Sequence, residues 1–380
     1  MVAKLLFLIT EDWFFCSHFL PRAIAAREAG FEVVVAAREQ RHGDFIRAAG
    51  LRFVPLPFDR RSMNPLRELR QLVMIWRLYR RERPDIVHQI AVKPILYGTL
   101  AARLAGVRAI VNAPVGLGYV FSSADRTARG LRPVLRLAYR WLMNPAGSRV
   151  IFENGDDLAS FVAEGAVRQA DAVLIRGAGV DVTRFCVDPA ARPAGKDAVP
   201  VVMLVARMLR DKGVLEFVAA ARYLRAAGVA ARFVLVGDPD PENPASLDEA
   251  TLQAWHDGHV IEWWGRREDM PEVFAEADIV CLPSYREGLP KVLLEAAACG
   301  CARVATDVPG CREAVIDGHD GLLVPPRDAL ALAAAIRRLL EDTSLRVQLG
   351  GRGRTRVEQE FSDAIVVNQT LAVYRGMAGL

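Results

Sequence analysis

The sequence predicts an α/β protein built from two doubly wound parallel sheets. Three observations carry this. Short apolar, β-rich runs alternate with runs of helical period over the whole length, which implies parallel sheets covered on both faces. At 380 residues the chain is too long for one ordinary core, so two domains are expected. One stretch, "CVDPAARPAGKDAVP" (Cys186–Pro200), is rich in Pro, Ala and Gly and has no period, which marks a linker between two βα series. The expected organisation is a first domain over 1–187, a linker over 188–200, a second domain over 201–361, and a C-terminal helix over 362–380. That helix, with Ser362 as its cap candidate, is expected to pack back on the first domain.

In chain order, the expected strands of the first domain are Lys4–Ile9, Glu32–Ala36, Ile86–His88, Ala109–Asn112 and Val150–Glu153. Those of the second are Val201–Ala206, Arg232–Val236, Val260–Trp263, Ile279–Cys281 and Arg303–Ala305. Helical runs such as Leu66–Arg81 and Val214–Ala227 lie between them. In this fold class, ligands bind at the carboxyl ends of the strands, and two such domains are expected to face a central cleft.

Composition narrows the function. No uninterrupted apolar run approaches the ~18–20 residues that a spanning helix needs. The N-terminal "VAKLLFLIT" runs straight into "EDWFFCSH" and reads as a buried first strand rather than a signal peptide. The six cysteines form no CxxC and no zinc spacing, so reduced thiols and a cytoplasmic setting are expected. The net charge of +4 hides an asymmetry: residues 1–187 hold 27 Lys+Arg against 17 Asp+Glu, and the remainder 22 against 28. A basic first half points to an anionic partner there, such as a membrane surface, a diphosphate or a nucleic acid. In "ADRTARGLRPVLRLAYRWLMNP", Arg129, Arg132, Arg136 and Arg140 recur at helical steps beside an apolar face. Such a helix can lie on an anionic bilayer or pack on the sheet with a basic outer face. It carries no separate aromatic stacking surface, and the second half is acidic, which argues against nucleic acid.

The sharpest signals are in the second half. "SYREGLPKVLLEAAACG" leaves a strand, starts a helix near Pro290 and stops it at Gly300. It carries Glu287 and Glu295. Two such carboxylates can be an acid/base pair, a metal site, a sugar clamp or ordinary helix decoration, with Lys291 and Glu295 as a surface i,i+4 pair. Backbone N–H groups of Gly288 and Leu289 at the helix start are suited to phosphate oxygens. The glutamates then suit hydroxyls, as acceptors. In "VVMLVARMLRDKG", Arg207 and Lys212 follow a buried strand and are suited to neutralise a diphosphate.

Together, "RMLRDKG" and "EGLPKVLLE" resemble the donor-site signature of the GT-B glycosyltransferases of family GT4. "GRREDMPEVFAEADIVCLPS" and "VPGCREAVIDGHDGLLVPP" extend the resemblance over the second domain. It implies that Arg207 and Lys212 bind the diphosphate of a nucleotide-sugar, Glu287 the transferred sugar and Glu295 the ribose, with Arg266 near the base. It also implies retention of configuration and no need for a metal or other cofactor. The competing "GDPDPEN" contains Asp238 and Asp240, a D-x-D of the kind that holds a metal–diphosphate in the other large glycosyltransferase fold. Its prolines and Asn243 make it read as a turn.

In the first domain, "TEDWFFCSHFLPRA" follows strand one without a glycine-rich turn, and it offers Glu11, Asp12 and His18 as acceptor-side candidates, His18 also as a catalytic candidate. "HQIAVKPILYGTLAARLAG", "NAPVGLGYVF", "SHFLPRA" and "SMNPLRELRQL" resemble one GT4 branch, which builds bacterial oligosaccharides on undecaprenyl diphosphate and includes enzymes of protein N-glycosylation. That resemblance implies a UDP-N-acetylhexosamine donor and a polyprenyl-diphosphate-linked saccharide acceptor. It also implies a peripheral position on the cytoplasmic face of the inner membrane, with Lys93 a candidate for the acceptor diphosphate. Many GT4 enzymes place a histidine after the strand matching Ala109–Asn112. Here "VNAPVGLG" has none, so no role transfers to that position. The rival readings are a capsule or lipopolysaccharide sugar transferase with another donor, and a catalytically silent nucleotide-sugar-binding protein.

Overall fold

The computed structural model describes residues 2–58, 64–115, 137–187 and 199–379. Most of the expected linker, and Arg129, Arg132 and Arg136 of the basic helix, lie outside the described residues. The chain forms two compact units, one made of Met1–Gly179 with Asp363–Leu380 and the other of Val180–Ser362.

The first unit is a seven-stranded, all-parallel sheet in the order β3-β2-β1-β4-β5-β6-β7. Its strands are β1 (Lys4–Glu11), β2 (Glu32–Arg38), β3 (Arg52–Pro55), β4 (Ile86–Ile90), β5 (Ala109–Ala113), β6 (Ser148–Phe152) and β7 (Ala172–Leu174). Strand β1 shows why both faces are covered. Leu5, Phe7 and Ile9 enter one apolar layer, and Leu6 and Leu8 the other. Its helices include α1 (Asp12–His18), α2 (Leu20–Glu28), α3 (Gly43–Ala48), α4 (Pro65–Glu82), α5 (Val92–Ala105) and α6 (Gly155–Ala163). Helix α4 starts where Asn64 accepts from the N–H groups of Leu66 (2.9 Å) and Arg67 (3.4 Å), with Pro65 in the first turn.

The second unit is a six-stranded parallel sheet in the order β10-β9-β8-β11-β12-β13. Its strands are β8 (Val201–Val205), β9 (Arg232–Val236), β10 (Glu262–Trp263), β11 (Ile279–Leu282), β12 (Ala302–Thr306) and β13 (Leu322–Val324). On β8, Val201 and Met203 face one layer, and Val202 and Leu204 the other. The helices are α7 (Val214–Ala226), α8 (Glu249–Asp257), α9 (Met270–Ala275), α10 (Lys291–Ala298), α11 (Pro309–Ala314), α12 (Ala329–Glu341) and α13 (Thr343–Glu360).

The final helix, α14 (Asp363–Ala378), belongs to the first unit. Val366, Leu371 and Tyr374 join the core layer that holds Phe7 and Phe19, and the Tyr374 hydroxyl lies 2.6 Å from Nδ1 of the fully buried His88. Arg22, also buried, donates to the carbonyl of Gly177 and lies over the Phe19 ring. One boundary differs from expectation. The second unit begins at Val180, ahead of the proline-rich stretch, because Val180 pairs with Ser362 and Phe185 packs on Phe274 in the second core. Each sheet reverses its strand order once, between β1 and β4 and between β8 and β11. Such a reversal opens a place for ligands at the carboxyl ends of the strands.

Candidate active site

The reversal in the second unit gathers the donor-side candidates. Strand β8 ends and Arg207 follows. A short 3₁₀ turn, Arg210–Lys212, then leads through Gly213 into α7. Gly213 has φ +73°, and a Cβ there would meet the carbonyl oxygen of Pro283 at 2.1 Å. Only glycine lets this turn lie against the end of β11. The Tyr285 N–H donates to the carbonyl of Asp211 (2.9 Å) and completes the stitch. The result is that Lys212 Nζ donates to Glu287 Oε1 at 2.6 Å, although the two residues are far apart in sequence. Both side chains are mostly covered, at 23% and 10% exposure.

The Glu287 loop is held from behind. A Cβ on Gly310, at the start of α11, would meet the carbonyl oxygen of Gly288 at 2.3 Å and that of Glu287 at 2.7 Å. The Thr306 hydroxyl donates to the Ser284 carbonyl. On the side of α7, the Tyr285 hydroxyl donates to Glu216 Oε1 (2.6 Å), and the Arg327 guanidinium lies 4.4 Å from the Tyr285 ring centre. Burial, together with the Glu216 carboxylate, pushes the Tyr285 phenol up to about 12, so it remains a donor at neutral pH. Tyr285, Glu216 and Gly310 are site-building residues that the sequence reading did not single out. Their signal in the sequence was that Tyr285 lies within "SYREGLP" and Gly310 within "VPGCREAVIDGHDGLLVPP".

Helix α10 starts at Lys291, with Pro290 as its N-cap. Gly288 and Leu289 therefore precede the helix, and Leu289 is buried in the core. Glu295 pairs with Lys291 at 3.2 Å, the i,i+4 geometry anticipated for a helix-surface pair. Arg266 follows β10 and donates to Glu268 at 3.3 Å, with nearly half of its side chain exposed. Arg207 donates from Nη1 to Asp240 Oδ2 at 2.6 Å. That contact engages one carboxylate of the D-x-D with an arginine. Among the described residues no group of three or more His, Cys, Asp or Glu is placed to hold a metal ion.

The acceptor-side candidates are placed differently. Glu11 is the last residue of β1, not a loop residue, and its carboxylate is held by Arg38 (3.1 Å) and Gln40 (2.8 Å). Asp12 is fully buried. It accepts from the N–H groups of Trp13 (2.7 Å), Gln40 (2.7 Å) and His42 (2.9 Å). Both carboxylates are enclosed by protein donors, whereas the sequence placed them toward an acceptor. They brace the segment between β2 and α3 instead. His18 ends α1 and stacks on Phe14, with ring centres 4.2 Å apart. Lys93, in the first turn of α5, donates to Glu68 (3.1 Å), which also accepts from the Tyr97 hydroxyl (2.5 Å). Lys93 is thus tied to α4.

Among solved structures, sucrose-phosphate synthase from Thermosynechococcus elongatus superposes with a TM-score of 0.80 at 21% identity, covering all of both chains. HepE from Anabaena, in complex with UDP and glucose, gives 0.77 at 20% identity over the same full extent. Two doubly wound parallel sheets of this kind define the GT-B architecture. Residues 4–154 match the model described as "Glycosyl transferase 4-like", and residues 199–342 match "Glycosyl transferases group 1". An N,N'-diacetylbacillosaminyl-diphospho-undecaprenol α-1,3-N-acetylgalactosaminyltransferase of Campylobacter jejuni is 30% identical over 94% of each chain. An Escherichia coli UDP-Gal:α-D-GlcNAc-diphosphoundecaprenol α-1,3-galactosyltransferase is 27% identical, covering 76% of this chain and 74% of its own. The chain belongs to the family 4 glycosyltransferases, and it is a glycosyl-transferring enzyme.

Proposed function

We propose that the protein is a retaining glycosyltransferase that moves an N-acetylhexosamine from a UDP-sugar to an undecaprenyl-diphosphate-linked saccharide. The observation that carries this reading is the convergence of Lys212 and Glu287, with Arg207 nearby in sequence, at the β8/β11 reversal. The names of the two bacterial relatives supply the acceptor class. Arg207 and Lys212 take the charge that develops on the UDP diphosphate as the sugar leaves. Glu287 accepts from hydroxyls of the transferred sugar, Glu295 from the ribose, and Arg266 lies near the base. Neutralisation by two cations makes a metal unnecessary. An acceptor hydroxyl attacking from the leaving-group face requires no protein nucleophile. His18 and Lys93 are left on the acceptor side.

The acceptor lipid calls for a membrane surface, and α4 is the described element best suited to meet it. Its two acids turn inward: Glu68 to Lys93 and Tyr97, and Glu82 to Arg52 and Arg81. Leu66 and Leu69 stand 77% and 56% exposed, and they line a groove of about 660 Å³ together with Leu56, Met74, Arg70 and Arg77. Apolar side chains among arginines match an anionic bilayer interface. At the end of the expected basic helix, residues 137–142 are helical and Trp141 is 70% exposed. No described helix is long and apolar enough to cross a membrane.

The test is incubation with a panel of UDP-sugars and synthetic polyprenyl-diphosphate-linked saccharides, measuring UDP release. Release that requires both a UDP-N-acetylhexosamine and the lipid-linked acceptor is the expected result. Release with another donor moves the protein to a capsule- or lipopolysaccharide-type reaction. UDP binding without acceptor-dependent release leaves a nucleotide-sugar-binding protein and overturns the proposal.

A further inference from the structure

The "GDPDPEN" segment is the one chemistry-bearing motif that the proposed reaction leaves unused. The structure makes it a rigid platform. The Asp240 N–H donates to Ser246 Oγ (2.9 Å), its carbonyl accepts from Asn243 (2.8 Å), and its Oδ1 accepts from the Glu242 N–H (3.2 Å). The same loop is knitted to the segment that carries Arg207. Met208 donates to the Asp238 carbonyl (3.0 Å), Arg210 to that of Ala245 (2.8 Å), and Leu247 to that of Met208 (2.9 Å). Leu209 and Ser246 form an antiparallel bridge.

In the Arg207–Asp240 pair the carboxylate is therefore the fixed member. The aspartate side chain is 16% exposed and bonded to its own turn, whereas the arginine is 40% exposed on a long, rotatable stem. The contact runs from Nη1 to Oδ2. A guanidinium has five N–H donors in a planar array, so it can hold one carboxylate oxygen and still bond phosphate oxygens from another edge. Holding the stem in one rotamer before the ligand arrives removes part of the ordering penalty of binding.

We infer that Asp240 is a positioning residue for the donor: it orients the Arg207 guanidinium at the carboxyl end of β8, so that a nucleoside diphosphate meets a pre-set cation. This rests on the proposed donor site and adds a residue to it. It also gives the D-x-D sequence a role as an arginine holder, not a metal ligand.

The experiment titrates UDP by calorimetry and measures UDP-sugar kinetics for Asp240→Ala, Asp240→Asn, Arg207→Ala and the Asp240→Ala/Arg207→Ala pair, with melting temperatures as a folding control. Asp240→Ala is expected to weaken UDP binding about tenfold and to raise KM more than it lowers kcat. Asp240→Asn, which still accepts a hydrogen bond, should recover part of that loss. In the Arg207→Ala background, removal of Asp240 should have no further effect. Unchanged or tighter UDP binding by Asp240→Ala overturns the inference, the tighter case showing that the carboxylate competes with the diphosphate. An equal loss with and without Arg207 also overturns it, by showing that Asp240 only supports its loop. Normal UDP affinity in Arg207→Ala would instead remove the donor-site reading itself.

Discussion

The two sheets reverse strand order in the same manner, yet the charged residues at the two reversals are completed differently. In the second unit, the segments that leave β8 and β11 carry Arg207, Lys212 and Glu287, part-exposed and held by glycine-tight turns. In the first unit, the acids at the end of β1 are drawn inward, Glu11 to Arg38 and Asp12 to backbone N–H groups, while Lys93 beyond β4 is tied to α4 through Glu68. The topology supplies a place in each unit. Whether that place becomes a charged site or a brace depends on which neighbouring groups complete the residues there.

The sharpest way to break this comparison is Lys212→Ala. If the second reversal carries the leaving-group charge, turnover measured as UDP release should fall by about 10²–10³. Near-normal turnover would make it a brace like the first. Next comes Asp12→Ala, which strips the acceptor from the N–H groups of Gln40 and His42. It should lower unfolding stability in urea by about 1–3 kcal/mol while leaving UDP affinity unchanged. An intact fold with lost acceptor binding would restore Asp12 to the ligand side.

Glu295→Gln separates two roles for one residue. As a helix-surface pair with Lys291 it is worth about 0.3 kcal/mol of stability. As the ribose acceptor, its loss should weaken UDP binding about tenfold, or about 1.4 kcal/mol, a loss that Lys291→Ala should not share. If both variants bind UDP normally, Glu295 belongs to the surface.

A further test concerns the first unit's packing. Burial, with a contribution from nearby Arg22, holds the His88 imidazole down at about 3, against 6.5 for a free histidine. Between those values the unfolded chain binds a proton that the folded one refuses. Stability should therefore decline as the pH falls from 6.5 towards 3, by at most about 1.4 kcal/mol per pH unit. His88→Gln should flatten that part of the urea-midpoint curve. An unchanged slope would mean that other groups govern acid sensitivity.

Much of this was legible in the sequence, for physical reasons. Central parallel strands are buried on both faces, so β1, β8 and β11 stand out as apolar runs. The missed strands, β3, β7 and β13, are short edge strands, and β7 has no fully buried residue to mark it. Composition marks 188–200 as a linker, most of which lies outside the described residues. However, Val180 and Phe185 belong to the second core because of partners near residues 274 and 362, a pairing that no local pattern announces.

At the candidate site, residue type and spacing pointed to Arg207, Lys212 and Glu287 beyond strand ends and to Glu295 inside the helix that follows. The alternating βα pattern and the charge asymmetry are likewise properties of the chain itself. The tertiary structure decided what each charged group faces. It put Lys212 on Glu287, Arg207 on Asp240, Glu295 on Lys291 and Asp12 on a neighbouring loop. An acid after a strand reads the same in sequence whether it faces solvent or the interior. Hydrogen-bond partners that arrive from distant strands and turns settle the difference, because a carboxylate is stable in the interior only where such donors meet it.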